Sequence, residues 1–288
     1  MKLNLVEGGI FPIIWDGKGN RLPVSEDGTG LNCSATIQGE GKLIGTSCLF
    51  IRTSACNLRC AWLGADGQGS PCDTPYSSHK PEKNIMEIDD IIEIVVENTE
   101  SQNIKHLVIS GGEPTMQTEA LEELVERLHC LGYHTTIETN GTIFSEKLAK
   151  FVDLVSISPK LRSSTPFEKH LQGTGIKFNA KWVEKHEKTR INIGALQNWV
   201  KYSKKYDNDF QLKFVIATEE DLKEVENIIY NIEAVTKVEP SDICLMPEGV
   251  DVDSLNERTA WMLEEAVKRG WRFTPRLHIQ LFGKNRFV

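Results

Sequence analysis

A chain of 288 residues with 33 Lys and Arg against 41 Asp and Glu carries a formal net charge of −8, so its surface as a whole is not built to attract phosphate backbones or anionic lipid. It is long enough to bury one large core or two small ones, no apolar run approaches the roughly 20 residues that span a bilayer, and the opening MKLNLVEGG lacks the apolar stretch of a signal peptide. These features point to a soluble cytoplasmic protein without a nucleic-acid or membrane partner, in which an odd count of seven cysteines argues against disulfides and toward metal ligation or catalysis.

Residues 1–46 are rich in Gly and end in TIQGEGKLIG. SCLFIRTS (47–54) is the first predicted strand, followed by a polar, Pro- and Gly-containing segment through residue 86 and a predicted helix over 87–101. Strands then fall at 105–110, 134–139, 153–158, 211–217 and 242–247, and helices at 118–132, 145–151, 194–205, 219–235 and 255–270. Strand and helix alternating about six times imply right-handed crossovers and a curled parallel sheet. The expectation is an α/β fold, a partial (β/α)-barrel of about six parallel strands, forming one domain over 1–288. Residues 160–193 interrupt the rhythm. From Lys181 to Lys205 there are seven Lys or Arg with acids interleaved, which reads as a solvated helical face.

The unusual residues follow the carboxyl ends of the predicted strands: Cys56 after the first, GGEP (111–114) after the second, TNG (139–141) after the third, and Pro159-Lys160 after the fourth. In barrels and open α/β sheets that rim is where sites are built. Cys56, Cys60 and Cys72 lie on one polar loop with no fourth cysteine near, whereas structural iron–sulfur and zinc sites take four protein ligands. Three thiolates leave one metal position free for catalysis. The competing readings are a zinc site closed by His79, or three unconnected cysteines. Cys33 and Cys48 are possible substitutes for Cys72, while Cys130 and Cys244 read as packing residues. In SGGEP, two glycines without Cβ atoms let a ligand's ammonium group approach the backbone, and Glu113 adds an acceptor.

The combination resembles the radical S-adenosylmethionine superfamily. TIQGEG (36–41), FIRTSAC (50–56), CDTPY (72–76), SGGEP (110–114), ETNGT (138–142), SISPK (156–160), LKFVI (212–216) and LHIQLFGKNR (277–286) look like the 7-carboxy-7-deazaguanine synthases, in the family's order. That resemblance implies a lyase that turns 6-carboxy-5,6,7,8-tetrahydropterin into the 7-deazapurine core leading to queuosine. It further implies a four-iron four-sulfur cluster, S-adenosylmethionine and Mg²⁺ as cofactors, an electron donor such as flavodoxin, and a homodimer. An activating enzyme for a glycyl radical partner would share the cysteine loop and GGEP. Against it stand TIQGEG, Arg52 and the LHIQLFGKNR tail.

By the same resemblance, Cys56, Cys60 and Cys72 hold the cluster and Thr74 is the magnesium ligand. Arg52 pairs with the substrate carboxylate, Gln38, Glu40 and His278 bind the pterin, and Glu138 joins Arg52 as a catalytic residue, with Asn140 a weaker member of this polar set. Ser110, Gly111, Gly112, Glu113, Ser158 and Lys160 line the S-adenosylmethionine side. The family commonly separates its second and third cysteines by two residues, and here eleven intervene. The longer loop costs only about 1.5 kcal/mol of closure entropy. Trp62 and the GADGQG insert are assigned no role.

Overall fold

The computed structural model describes residues 1–16, 18–22 and 29–288; part of the N-terminal segment, 17 and 23–28, lies outside them. The six predicted strands form as β3 (Ser47–Thr53), β7 (His106–Gly111), β8 (His134–Thr139), β9 (Leu154–Ile157), β10 (Asp209–Ile216) and β11 (Ile243–Pro247). They pair in parallel in that order, and β12 (Arg272–Phe273) extends the parallel run beyond β11. The sheet is an open path, so the barrel is partial, as expected from the sequence.

The crossovers are α1 (Ile88–Thr99), α2 (Thr118–Cys130), α3 (Glu146–Phe151), α5 (Ile193–Lys205), α6 (Glu219–Glu233) and α7 (Val252–Arg269), each within a few residues of its predicted span. Their apolar stripes meet the outer face of the sheet. Strand β10 shows how the sequence divides the two faces: Leu212, Phe214 and Ile216 are fully buried against Val225, Ile228 and Ile229 of α6 in the main core, so Gln211, Lys213 and Val215 point to the barrel interior. Each such buried apolar side chain contributes about 1.5–3 kcal/mol.

Three segments differ from expectation. Residues Lys2–Phe11 form a strand, β1, antiparallel to β3; it was hidden because its alternation breaks at the Gly8-Gly9 irregularity between Leu5 and Ile10. It carries β6 (Asn84–Glu87) on its far edge, and β2 (Thr36–Ile37) pairs with the start of β3. The cysteine-loop insert is a hairpin, β4 (Ala61–Leu63) and β5 (Gly69–Pro71). The basic stretch contains α4 (Ala180–Thr189), and the tail contains α8 (Leu277–Phe282). Among the described residues, no helix is long and apolar enough to cross a membrane.

Candidate active site

The carboxyl ends of β3 and β7–β11 surround a cavity of about 370 Å³, roofed by the TIQGEG loop, the cysteine loop and the C-terminal tail. Inward-facing positions of the strands supply its charged floor: Arg52 of β3, Ser110 of β7, Glu138 of β8 and Lys213 of β10. Roof and tail are tied directly, for Leu277 N donates to Gly39 O at 2.9 Å and Gly41 N to Thr274 Oγ1 at 2.6 Å. A Cβ on Gly39 would lie 2.1 Å from His278 Nδ1, so only glycine lets the tail close here.

Cys56, Cys60 and Cys72 all line this cavity, in an apolar patch with Leu58 and Trp62. The hairpin explains how eleven intervening residues are accommodated. Cys72 N donates to Cys60 O at 3.0 Å, so the insert leaves and returns at one point and the third cysteine stands beside the second. Ser70 Oγ donates to the buried Glu248 at 2.8 Å, and Gly69 N donates to Gln172 O at 3.1 Å, pinning the hairpin to the rim. Replacing the turn residues 64–68 by a two-residue Asn-Gly turn is therefore expected to leave iron content unchanged and stability within about 1 kcal/mol, checked by iron analysis and urea unfolding.

These thiols suit a cluster. Burial pushes the Cys56 thiol up to about 12 and raises that of Cys60 as well, so a metal that replaces the proton relieves the cost of a buried thiolate. Among the described residues, no three His, Cys, Asp or Glu side chains converge on a single-ion site. An iron–sulfur cluster, in which each iron takes one thiolate, does not require the three thiols to meet on a single ion. The zinc alternative lacks its closing ligand, since His79 Nε2 donates to Cys60 O at 3.0 Å and the ring does not line the cavity. Cys48 is buried with Phe11, Phe50 and Val108, away from the patch, and Cys33 does not line the cavity. Cys244 is buried as expected, but Cys130 is exposed at the end of α2, which corrects its reading as a packing residue.

A chain of charges crosses the floor. Lys213 Nζ pairs with Glu40 and stands 3.5 Å from Glu138; Arg276 pairs with Glu40 at 2.9 Å and with Asp73, and donates to Gly249 O at 2.7 Å. Burial opposes the charge on Glu40, but Lys213 and Arg276 outweigh it and hold the carboxyl well below the usual carboxylate range. Glu138 accepts from Ser110 Oγ at 2.6 Å and from Gln38 Nε2 at 3.5 Å. His278 is kept neutral-leaning by burial, its Nε2 4.0 Å from Glu40.

Two cations on the cavity wall have no carboxylate partner among the described residues. Arg52 stacks 4.9 Å from the Phe11 ring and its buried Nε has no hydrogen-bond partner, while Lys160 Nζ donates only to Ser158 Oγ, at 2.9 Å. Each is available to an anionic group of a ligand. Thr74 also faces the cavity, with its Oγ1 3.4 Å from Cys72 Sγ.

Of the expected site residues, only Glu113 does not line the cavity, and that corrects its assignment as a ligand-facing acceptor. It is fully buried, and its carboxylate accepts from Thr115 N at 3.1 Å, Thr139 Oγ1 at 2.7 Å and Asn140 N at 2.6 Å. It therefore ties the β7 and β8 loops together. The glycines before it also make room for neighbouring backbone. A Cβ on Gly111 would fall 2.2 Å from Thr53 O, and one on Gly112 2.0 Å from Ala55 O, so they admit the neighbouring β3 backbone. Both still line the cavity. Lys213, Arg276 and Asp73 were missed as site residues; strand alternation in QLKFVIA gave the signal for Lys213, whereas nothing local marks Arg276.

Residues 50–193 match the model of the radical SAM superfamily. The 7-carboxy-7-deazaguanine synthase of Halobacterium salinarum is 38% identical over 272 residues, 93% of each chain. That of Rhodopirellula baltica is 34% identical over 249 residues, 86% of this chain and 84% of its own. The crystal structure of QueE from Escherichia coli aligns over 89% of this chain and 100% of its own with a TM-score of 0.55 at 21% identity, a likeness of fold. A match to the radical SAM model across half of the chain is thus joined to similarity over 93% of it with one group of enzymes, and the chain belongs to the 7-carboxy-7-deazaguanine synthase family of the radical S-adenosylmethionine superfamily.

Proposed function

We propose that this chain is a carbon–nitrogen lyase that converts 6-carboxy-5,6,7,8-tetrahydropterin into 7-carboxy-7-deazaguanine and ammonia, as a single cytoplasmic domain serving 7-deazapurine biosynthesis. The observation that carries this reading is Arg52, a guanidinium aimed into a small cavity with its buried Nε unpartnered. A planar carboxylate satisfies it with two charge-assisted hydrogen bonds, a geometry that lysine cannot supply. A cavity of about 370 Å³ suits a bicyclic small molecule better than a protein segment.

Cys56, Cys60 and Cys72 would hold the four-iron four-sulfur cluster, and Ser158, Lys160 and the Ser110–Gly112 segment would hold S-adenosylmethionine. Together the two groups supply, when bound, the carbon-centred radical chemistry that opens the ring contraction. The other tasks belong to the side chains around them. Glu40, kept ionised by Lys213 and Arg276, accepts N–H groups along the pterin edge, and Gln38 and His278 complete that edge. Glu138 is held at Oε2 by Ser110 Oγ, while its Oε1 keeps only the long 3.5 Å contacts to Gln38 Nε2 and Lys213 Nζ and is the oxygen placed to take a proton from the substrate. Thr74, together with water and the substrate carboxylate, forms an oxygen set that suits Mg²⁺. Roof and tail cover the cavity and limit the access of water, which a reactive carbon radical requires.

The reading is tested by anaerobic reconstitution with iron and sulfide, followed by incubation with dithionite, S-adenosylmethionine, Mg²⁺ and the carboxypterin. A product lighter than the substrate by one ammonia supports it; a protein that takes up zinc and leaves the pterin unchanged refutes it. Arg52→Lys is expected to lower kcat/KM by about 10- to 100-fold, mostly through KM, as one charged hydrogen-bond set is lost. Its melting temperature should not fall, because the Arg52 side chain has no hydrogen-bond partner among the described residues and lysine keeps a cation beside the Phe11 ring; a large fall would make the residue structural.

A further inference from the structure

The basic stretch that reads in sequence as a plain solvated face takes on a different aspect from its position. Between Lys160 and Arg190 there are eight Lys or Arg and three Glu, in a chain whose net charge is −8. Helix α4 presents Lys181, Lys185 and Lys188, spaced four and three residues apart, as one exposed row. Its other face turns inward: His186 is buried beside Ser164, and Glu187 pairs with Arg190 at 3.2 Å. Phe178, just before the helix, is 45% exposed.

Helix α4 touches the cysteine loop through Trp182. The Trp182 ring of α4 lies 4.3 Å from the Arg59 guanidinium and 4.6 Å from Lys185 Nζ, stacked with both. Arg59 stands between Cys56 and Cys60 in the sequence and donates to Cys56 O at 2.9 Å and Leu58 O at 3.0 Å. One indole ring therefore touches both Lys185 of the exposed row and the loop that would carry the cluster. A protein cannot enter a cavity of about 370 Å³, so an electron donor of protein size has to approach that loop from outside.

We propose that the lysine row of α4, with Phe178 at its edge, docks an acidic one-electron donor protein of the flavodoxin class. The proposal rests on the reading of Cys56, Cys60 and Cys72 as cluster ligands. The donor's reduced flavin loses one electron and the cluster gains it; no bond is made or broken. Complementary charge accelerates such an encounter and aligns it, while the apolar ring at the edge supplies contact area. Exposed Glu168 and Glu184 stand beside the lysines and reduce the local positive charge, so the row offers a short basic patch and not a continuous track for a phosphate backbone.

The test compares the reconstituted protein with K181E/K185E/K188E and with the milder K181Q/K185Q/K188Q. Binding of oxidised flavodoxin is measured by calorimetry at low and high ionic strength, and cluster bleaching is followed by stopped flow with reduced flavodoxin or dithionite. The expected result is a loss of flavodoxin affinity and of flavodoxin-driven bleaching on the order of tenfold or more at low salt, smaller in the Gln variant, with dithionite bleaching unchanged. Unchanged flavodoxin binding overturns the proposal, as do equal losses with both reductants or a short RNA duplex that occupies the face as tightly as flavodoxin. Failure of the unaltered protein to act on the pterin with dithionite would count against the proposed reaction alone, because the binding comparison reads the docking face independently.

Discussion

Cys72→Ala is expected to yield protein that folds but retains little reconstituted iron and turns over more than about 100-fold more slowly, beyond the range seen when only an outer partner of a metal site is removed. Cys33→Ala and Cys48→Ala should keep wild-type iron content, since Cys48 is buried among Phe11, Phe50 and Val108 and Cys33 does not line the cavity. Iron analysis with visible and electron paramagnetic resonance spectra separates these cases. The basis is the base of the β4–β5 hairpin, where the Cys72 N to Cys60 O hydrogen bond of 3.0 Å sets the third cysteine beside the second. A Cys72→Ala protein with full iron content and activity would show that the insert carries the ladder away from the cluster. A Cys48→Ala protein without iron would move the third ligand into the sheet.

Lys213→Met is expected to cost about 3–5 kcal/mol at neutral pH, the usual consequence of removing one partner from a buried ion pair. The Lys213 side chain is only 6% exposed and faces both Glu40 and Glu138. Without it, Glu40 faces Arg276 and the neutral-leaning His278, and Glu138 keeps only neutral partners. The pH dependence follows from the direction of each shift. The Glu40 carboxyl is depressed in the folded protein, so the stability it lends is present above the ordinary carboxylate range and lost as pH falls through the folded value. Lys213 is raised, burial being outweighed by Glu138 and Glu40, so its contribution is present below the ordinary lysine range and lost only as pH rises through the higher folded value. The gap between wild type and Lys213→Met should therefore be widest near neutrality and shrink toward acid, where the carboxylates are protonated. Urea unfolding at several pH values measures it. A gap that is absent at pH 7 would mean that the charge chain does not hold the floor together.

How much of this molecule is legible in its sequence depends on the range of the interactions. Buried strands and amphipathic helices are local periodicities of two and 3.6 residues, so SCLFIRTS, KHLVIS and QLKFVIA read as strands and 219–235 as a helix without any knowledge of their neighbours. The order of those elements dictates the parallel sheet, and the sheet dictates the rim on which Cys56, Ser110, Glu138 and Ser158 meet. β1 escaped that reading because Gly8 and Gly9 interrupt its alternation, and its assignment to the edge of β3 is made by partner hydrogen bonds far away in the chain.

Within the site, the sequence by itself determined which residue types are present and that they follow strand ends. Only the tertiary structure decided which of them face the cavity. Glu113 sits in the most suggestive motif of the chain yet turns inward to Thr115, Thr139 and Asn140, because a buried carboxylate takes the donors nearest to it. Arg276 sits in no motif but reaches Glu40 and Asp73, 236 and 203 residues away, since charge pairing acts through space. The same holds for the lysines of α4: their spacing is written in the chain, but their place over the cysteine loop is fixed by the stacking of Trp182 on Arg59.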